Sequence, residues 1–221
     1  MGTLADLDVI HLQCHIGTDT VALARRGARV TGLDFSKPAL RVAAGLARQC
    51  GLTVEWVCAD VRDARRAVGG RTFDVVYTGM GALGWLPDLR PWAGVVDALL
   101  RPGGLLVVES RDWERMRTDK QRLEVRDHVA VRDGARGFCI YIWSIPKHWH
   151  EPHVAEIIIV IERDGAITHR LVELSFAPYR LKELLSRLTQ AGFEDCEVAY
   201  PRAGRYFVTA RKPAEGPAVD P

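Results

Sequence analysis

Between residues 8 and 110, short apolar runs of strand length alternate with segments whose apolar positions recur every three or four residues. Asp8 to Leu12 reads as a buried strand. Thr18 to Arg26 reads as a helix stopped by Gly27, and Arg29 to Leu33 as the next strand. Lys37 to Cys50 has helical spacing, with Pro38 in its first turn and Gly51 as its stop. Thr53 to Cys58 and Phe73 to Thr78 are strands three and four. Trp92 to Leu100 is a helix closed by the Arg101–Gly104 turn, and Leu105 to Ser110 is strand five. Strands this apolar, separated by helices, predict an α/β fold with a mostly parallel sheet covered on both faces.

The period changes after Ser110. Residues 123 to 176 alternate in β fashion around turns at Arg132 to Gly137 and at Asp164-Gly165, which predicts an antiparallel β insertion after strand five, over about 111–176. Helical spacing returns at Tyr179 to Ala191, and strands follow at Cys196 to Tyr200 and Arg205 to Arg211. Adjacent strands cannot be parallel without a crossover, so the last of seven strands is expected to run antiparallel. The whole reads as a single domain over 1–212, with a disordered tail at 213–221.

Composition narrows the function classes. The chain has 221 residues, with 30 Lys and Arg against 28 Asp and Glu. Its most basic stretch, Arg111 to Arg136, carries eight basic but also six acidic residues, so no face is marked for nucleic acid. The five cysteines are scattered without metal-ligand or disulfide spacing, as in a reduced, cytoplasmic protein. No basic leader and no apolar run of membrane-spanning length is present, so no membrane partner is expected.

The loop between the first strand and helix, His11-Leu12-Gln13-Cys14-His15-Ile16-Gly17-Thr18-Asp19, sits where doubly wound sheets receive a nucleoside. Asp34, at the end of strand two, is placed to accept hydrogen bonds from both ribose hydroxyls; capping the next helix is the alternative role. Asp60, after strand three, is placed to reach an adenine edge. A dinucleotide fingerprint needs several glycines to admit a pyrophosphate, and this loop has only Gly17. S-adenosylmethionine carries no phosphate and tolerates bulkier loop residues. A nicotinamide-dependent oxidoreductase is disfavoured on the same ground.

The stretches VIHLQCHIGTDT, GLDFS, CADV, FDVVYTGMGALGWLPD and LLRPGGLLVVES, in this order and spacing, resemble a class I S-adenosylmethionine-dependent methyltransferase over residues 8 to 110. The resemblance implies a Rossmann-like sheet and S-adenosyl-L-methionine as cofactor. It places Gln13, His15, Gly17 and Thr18 at the methionine moiety and Asp34, Phe35 and Ser36 at the ribose. Asp60 and Val61 fall at the adenine, and Thr78, Gly79 and Met80 near the methyl-bearing sulfur. The chain departs from the family pattern of acid, x, Gly, x, Gly, x, Gly, having His11, Gln13 and His15 in the acid and first two glycine positions. It also begins seven residues before strand one, without the family's usual N-terminal lid segment. Either the insertion or a second copy of the chain, as in a homodimer, supplies a lid, or the chain is a shortened product with an open site.

Methyl transfer is an in-line displacement driven by alignment and a dry site, and it demands little acid–base machinery. No catalytic residue is assigned; Tyr77, Trp85, Glu109 and Arg111 stand near the strand ends. Arg111 could hold a substrate carboxylate bidentately or form a surface ion pair. The string Lys147-His148-Trp149-His150-Glu151-Pro152-His153 offers three imidazoles. Alternation puts His148 and His150 on one face and fixes no further ligand, so they are read as substrate-side or loop residues, with no metal expected. Residues 110–114 and 174–179 are loosely similar to glycine/sarcosine N-methyltransferase-like proteins. That likeness implies an amine or amino-acid acceptor with Tyr179 beside it. The expectation is methyl transfer to a small molecule; the alternative is a non-catalytic S-adenosylmethionine- or nucleoside-binding, or dimerising, protein.

Overall fold

The computed structural model describes residues 4–112, 121–127, 136–144, 153–163, 166–176, 179–202 and 204–214. They group into two compact units, one of 1–83, 88–112 and 180–221 and the other of 84–87 and 113–179.

The first unit is a seven-stranded sheet. In chain order it runs β1 (Asp8–Leu12), α1 (Thr18–Ala24), β2 (Arg29–Asp34), α2 (Lys37–Gln49), β3 (Glu55–Cys58), a 3-10 turn at Val61–Asp63, α3 (Ala64–Ala67) and β4 (Phe73–Thr78). After α4 (Leu89–Leu99) and β5 (Leu100–Arg111) the chain leaves for the second unit. That unit contains a four-stranded antiparallel sheet of β6 (Gln121–Asp127), β7 (Arg136–Ser144), β8 (His153–Arg163) and β9 (Ala166–Phe176), in that spatial order. The chain returns through α5 (Leu181–Gln190), β10 (Glu194–Arg202) and β11 (Arg205–Arg211).

The first sheet has the order β10-β11-β5-β4-β1-β2-β3. Pairings among β1 to β5 are parallel, and β11 runs antiparallel to both β5 and β10, as the sequence pattern predicts. Four of the five residues of β1 are buried, which suits a central strand covered on both faces. Right-handed crossovers put α1 and α2, which travel outward from β1, on the face opposite α3 and α4, which serve strands on the other side. In keeping, α1 packs on α2, whereas α4 packs on both α3 and α5. Because strand order reverses between β1 and β4, their C-terminal ends flank a topological switch point, where ligands of such sheets bind. Among the described residues no helix is long and apolar enough to cross a membrane.

Several boundaries differ from the sequence reading. α4 begins at Leu89 rather than Trp92, because Asp88 caps it by accepting the Arg90 N–H and Pro91 is tolerated in a first turn. α5 begins at Leu181 rather than Tyr179, and β3 at Glu55 rather than Thr53. The Arg101–Gly104 turn belongs to β5, as an irregularity where the register with β4 shifts between Phe73 and Val75. The segment 61–67 is helical although no helix is legible there, since its run of arginines leaves only Val61 and Ala64 to mark a buried side. The turns anticipated at Arg132 to Gly137 and Asp164-Gly165 lie largely or wholly outside the described residues.

Register also fixes the packing beneath the first loop. Gly32 on β2 pairs with Trp56 on β3. A Cβ on Gly32 would sit 2.5 Å from the Trp56 ring, and one on Gly17 would sit 2.7 Å from both that ring and the Ala43 Cβ. The indole therefore fills the hollow these two glycines leave, and α2 closes it from above through Ala43. Adding a methyl group in a filled core costs about 1–3 kcal/mol. Gly32→Ala is expected to destabilise the fold by about that amount in chemical denaturation. Adding Trp56→Leu should return part of the loss, because the two changes share one space.

Candidate cofactor-binding site

The loop from β1 to α1 is held in an unusual backbone path. Gln13, His15 and Gly17 have φ of 54°, 51° and 76°, three left-handed residues at alternate positions. Glycine adopts this conformation freely, whereas Gln and His do so at a cost of roughly 1–2 kcal/mol each. Specific bonds offset that cost. Cys14 N–H extends the sheet by donating to Leu33 O at 2.9 Å, and His15 N–H donates to Asp34 Oδ2 at 2.8 Å. Gln13 Nε2 donates to Ala82 O at 3.1 Å, bridging this loop to the one after β4. The loop has kept the backbone path that glycines would take while carrying side chains.

Asp34 is buried at the end of β2, with 6% of its surface exposed. Besides His15, it accepts the Ser36 N–H on Oδ1 at 2.8 Å. The helix cap is Ser36 itself, whose Oγ accepts the Ala39 N–H at 3.3 Å, so Asp34 is not the cap of α2. An ionised carboxylate has about four lone-pair sites, and two remain for a ligand. Phe35, beside it, is 75% exposed and offers an aromatic face at the rim.

Asp60 behaves differently. It accepts the Arg62 N–H and pairs with the Arg62 guanidinium at 2.8 Å. These bonds hold its carboxyl at about 2, well below the usual carboxylate range. Val61 is buried in the 3-10 turn that Asp60 caps. Thr18 opens α1 and is exposed, Thr78 is fully buried at the end of β4, and Gly79 and Met80 follow it. The first unit therefore brings together Gln13, His15, Gly17, Asp34 and Thr78 around the switch point.

The substrate-side candidates are more dispersed. Arg111 ends β5 opposite Arg205 and is half-buried. Trp85 and Tyr179 belong to the second unit, where Tyr179 donates its hydroxyl to Leu86 O. Trp85 is 54% exposed. His148 and His150 lie outside the described residues.

Sequence reasoning missed two contributors. Trp56 supports the loop from below, a role visible only once register sets it against Gly32. Thr20 lies 2.8 Å, through Oγ1, from Nδ1 of the buried His11. Burial holds the His11 imidazole neutral, its pKa down at about 3. Burial and the Asp34 charge push the Cys14 thiol up to about 12, so it stays protonated and inert.

A groove of about 650 Å³ opens at the opposite, N-terminal edge of the strands, lined by Asp8, Arg29, Glu55, Arg71 and Arg101 among others. Its charges are mutually paired: Asp8 with Arg29 and Arg101, and Glu55 with Arg71. It leaves no concentrated charge for a ligand.

S-adenosylmethionine presents two ribose hydroxyls, an adenine face, a cationic sulfonium and a zwitterionic amino-acid end. The residues at the switch point fit it: spare acceptor capacity on Asp34, the exposed ring of Phe35, and Gln13 Oε1, a buried acceptor with no partner among the described residues.

Residues 9–104 match the family model described as a methyltransferase domain. The chain is 32% identical over 102 residues to a ubiquinone biosynthesis O-methyltransferase of Chromobacterium violaceum, covering 46% of this chain and 43% of that one. It is 35% identical over 108 residues to the enzyme of the same description from Coxiella burnetii (strain RSA 493 / Nine Mile phase I), covering 47% and 43%. The chain thus spans less than half the length of these curated relatives. Among solved structures, it resembles an S-adenosylmethionine-dependent methyltransferase from Clostridium acetobutylicum at a TM-score of 0.73 and 14% identity, over 93% of this chain and 84% of that one. It also resembles CalS10, an amino pentose methyltransferase from Micromonospora echinaspora, at 0.69 and 21%, over 93% and 83%. The chain has the fold of the class I S-adenosylmethionine-dependent methyltransferases, and residues 9–104 are similar to the methyltransferase-domain family.

Proposed function

We propose that the chain transfers a methyl group from S-adenosylmethionine to a small-molecule acceptor, with an amine or amino acid as the acceptor class. The observation that carries the cofactor assignment is Asp34. It is a buried carboxylate at the switch point, anchored by the His15 and Ser36 N–H groups and retaining acceptor capacity for two hydroxyls. Side chains at positions 13 and 15 crowd the space that a pyrophosphate would need, which supports a sulfonium nucleoside over a dinucleotide. The relatives described as O-methyltransferases and amino-sugar methyltransferases support a small-molecule acceptor.

The cofactor, when bound, supplies an electrophilic methyl carbon on a sulfonium. The protein's task is then alignment and exclusion of water rather than bond-making of its own. Asp34 fixes the ribose, the β1–α1 loop positions the amino-acid end, and the β4 end sets where the acceptor approaches. Arg111, at the end of β5, is in reach of a carboxylate on an amino-acid acceptor from the same sheet edge.

Isothermal calorimetry tests the assignment. S-adenosylmethionine and S-adenosylhomocysteine are expected to bind and NADH is not. Asp34→Ala should weaken both by about 1.5–3 kcal/mol, the worth of hydrogen bonds to a charged group. Unchanged affinity would overturn the ribose role, and absence of binding by the unaltered chain would overturn the function.

A second prediction concerns Asp60. Its folded pKa, held at about 2 by Arg62, lies below the ordinary 3.8. The pair's contribution to stability is therefore present above the ordinary value and lost as pH falls through the folded one. Both side chains are substantially exposed, so that contribution is small. Arg62→Gln should return the Asp60 carboxyl toward 3.8 in a carbon-13 NMR titration. It also frees the carboxylate for an adenine amino group, so affinity for S-adenosylhomocysteine is expected to rise several-fold.

A further inference from the structure

β9 is an edge of the second unit's sheet, paired with β8 alone among the described strands. Its eleven residues keep an unbroken antiparallel register with β8, from Phe176 opposite His153 to Ala166 opposite Arg163. Edge strands are ordinarily kept from further pairing by shortness, bulges, Pro or Lys. β9, AITHRLVELSF, has none of these. The other edge, β6, is shorter, and four of its seven residues are charged. Ile167, His169, Leu171 and Glu173 alternate onto one face of β9. On that face Ile167 is 72% and Leu171 59% exposed, beside a half-buried Ile158 and Val160.

The sequence of β9 is complementary to itself. Leu171 is the midpoint of the strand, so a twofold axis through it, perpendicular to the sheet, sets β9 antiparallel to a second β9 with every residue overlapped. Leu171 then meets Leu171, and His169 meets Glu173 twice. Val125, Ile140, Ile158 and Leu171 already occupy one cross-strand row, which the axis continues into the same four positions of the second copy. Register also sets Glu173 opposite Glu156 within the chain, a like-charged pairing that is unfavourable by itself. The second copy's His169 stands on the far side of Glu173 and supplies a proton donor to it. Opposite residues must share a face, so the axis has to pass through a residue. Moved to Arg170 or Glu173, it brings like charges together, and moved to Val172 it sets Leu171 against Glu173.

We propose that β9 is the docking edge for a second copy of this chain, joining two four-stranded sheets into one of eight strands about a twofold axis at Leu171. The pairing satisfies the outward backbone N–H and C=O groups of both edges and covers Leu171 on each side. The occupant is a second copy because the apolar centre and the two His169–Glu173 contacts arise only when β9 faces its own sequence, as an isologous interface requires. The interface stands independently of the methyl transfer proposed above.

The test is the oligomeric state of the whole chain in analytical ultracentrifugation, where a concentration-dependent dimer is expected. Leu171→Lys changes an exposed position and sets two ammonium groups face to face at the axis, so the dimer dissociation constant should rise about tenfold or more, with the circular dichroism of the fold unchanged. His169→Glu sets carboxylate against carboxylate twice and should weaken the dimer about tenfold; adding Glu173→Lys should restore it. Positions 169 and 173 lie about 13 Å apart along one strand, so that rescue reads contact between copies. On mild oxidation Leu171→Cys is expected to give a disulfide-linked dimer above the level of the unaltered chain. Thr168→Cys, roughly 20 Å from its counterpart in this register, is not. A monomer at every concentration, a dimer indifferent to Leu171→Lys, a failed rescue, or cross-linking at 168 as ready as at 171 overturns the proposal.

Discussion

The tie between the Asp34 carboxylate and the backbone N–H groups of His15 and Ser36 sets the geometry on which the site depends. It joins the end of β2 to two loops at once, the one that leaves β1 and the one that enters α2. Without it, only the Cys14 N–H bond to Leu33 O would restrain the left-handed residues at 13 and 15 from the β2 side. In the proposed function the same carboxylate is the group offered to a ribose, so holding the loop and binding the ligand would draw on one pair of oxygens. A carboxylate this buried is tolerable because two backbone N–H groups bond it, and a ligand hydroxyl adds to those bonds rather than replacing them.

The strain in the loop has a counterpart in its packing. Gly17 and Gly32 leave a hollow that Trp56 fills, so the loop rests on a rigid aromatic floor rather than on flexible aliphatic chains. Gln13 ties the loop on its other side to Ala82, beyond β4. A path with two non-glycine residues in the left-handed region is held by a floor below, the β2 carboxylate on one side and the β4 loop on the other. The departures from the family's glycine pattern at 13 and 15 therefore change the side chains lining the site and leave its backbone course intact.

Much of this was legible before any coordinates, and the exceptions have physical causes. Apolar runs such as Asp8–Leu12 and Phe73–Thr78 mark central strands because burial on both faces leaves little room for polar residues. The 61–67 segment escaped because a four-residue helix shows too little of its period, and its arginines hide what there is. Position at a strand end was enough to single out Asp34. It could not tell that Asp60, at an equivalent end, would be drawn to an arginine two residues on, since that choice between partners depends on a local turn. His11 and Thr20 are nine residues apart, and their contact exists only because β1 and α1 fold back on one another through the loop.

For the methyl transfer proposed above, charge around the β4 end constrains the chemistry further. Methyl transfer to a neutral nitrogen carries positive charge from the sulfur to the acceptor, so negative groups beside the sulfonium stabilise the ground state more than the transition state. Negative groups near the acceptor do the reverse. Asp19 and Glu109 flank Tyr77, and Arg205 offsets Glu109 from 3.5 Å, which leaves Asp19 as the less compensated charge of the two.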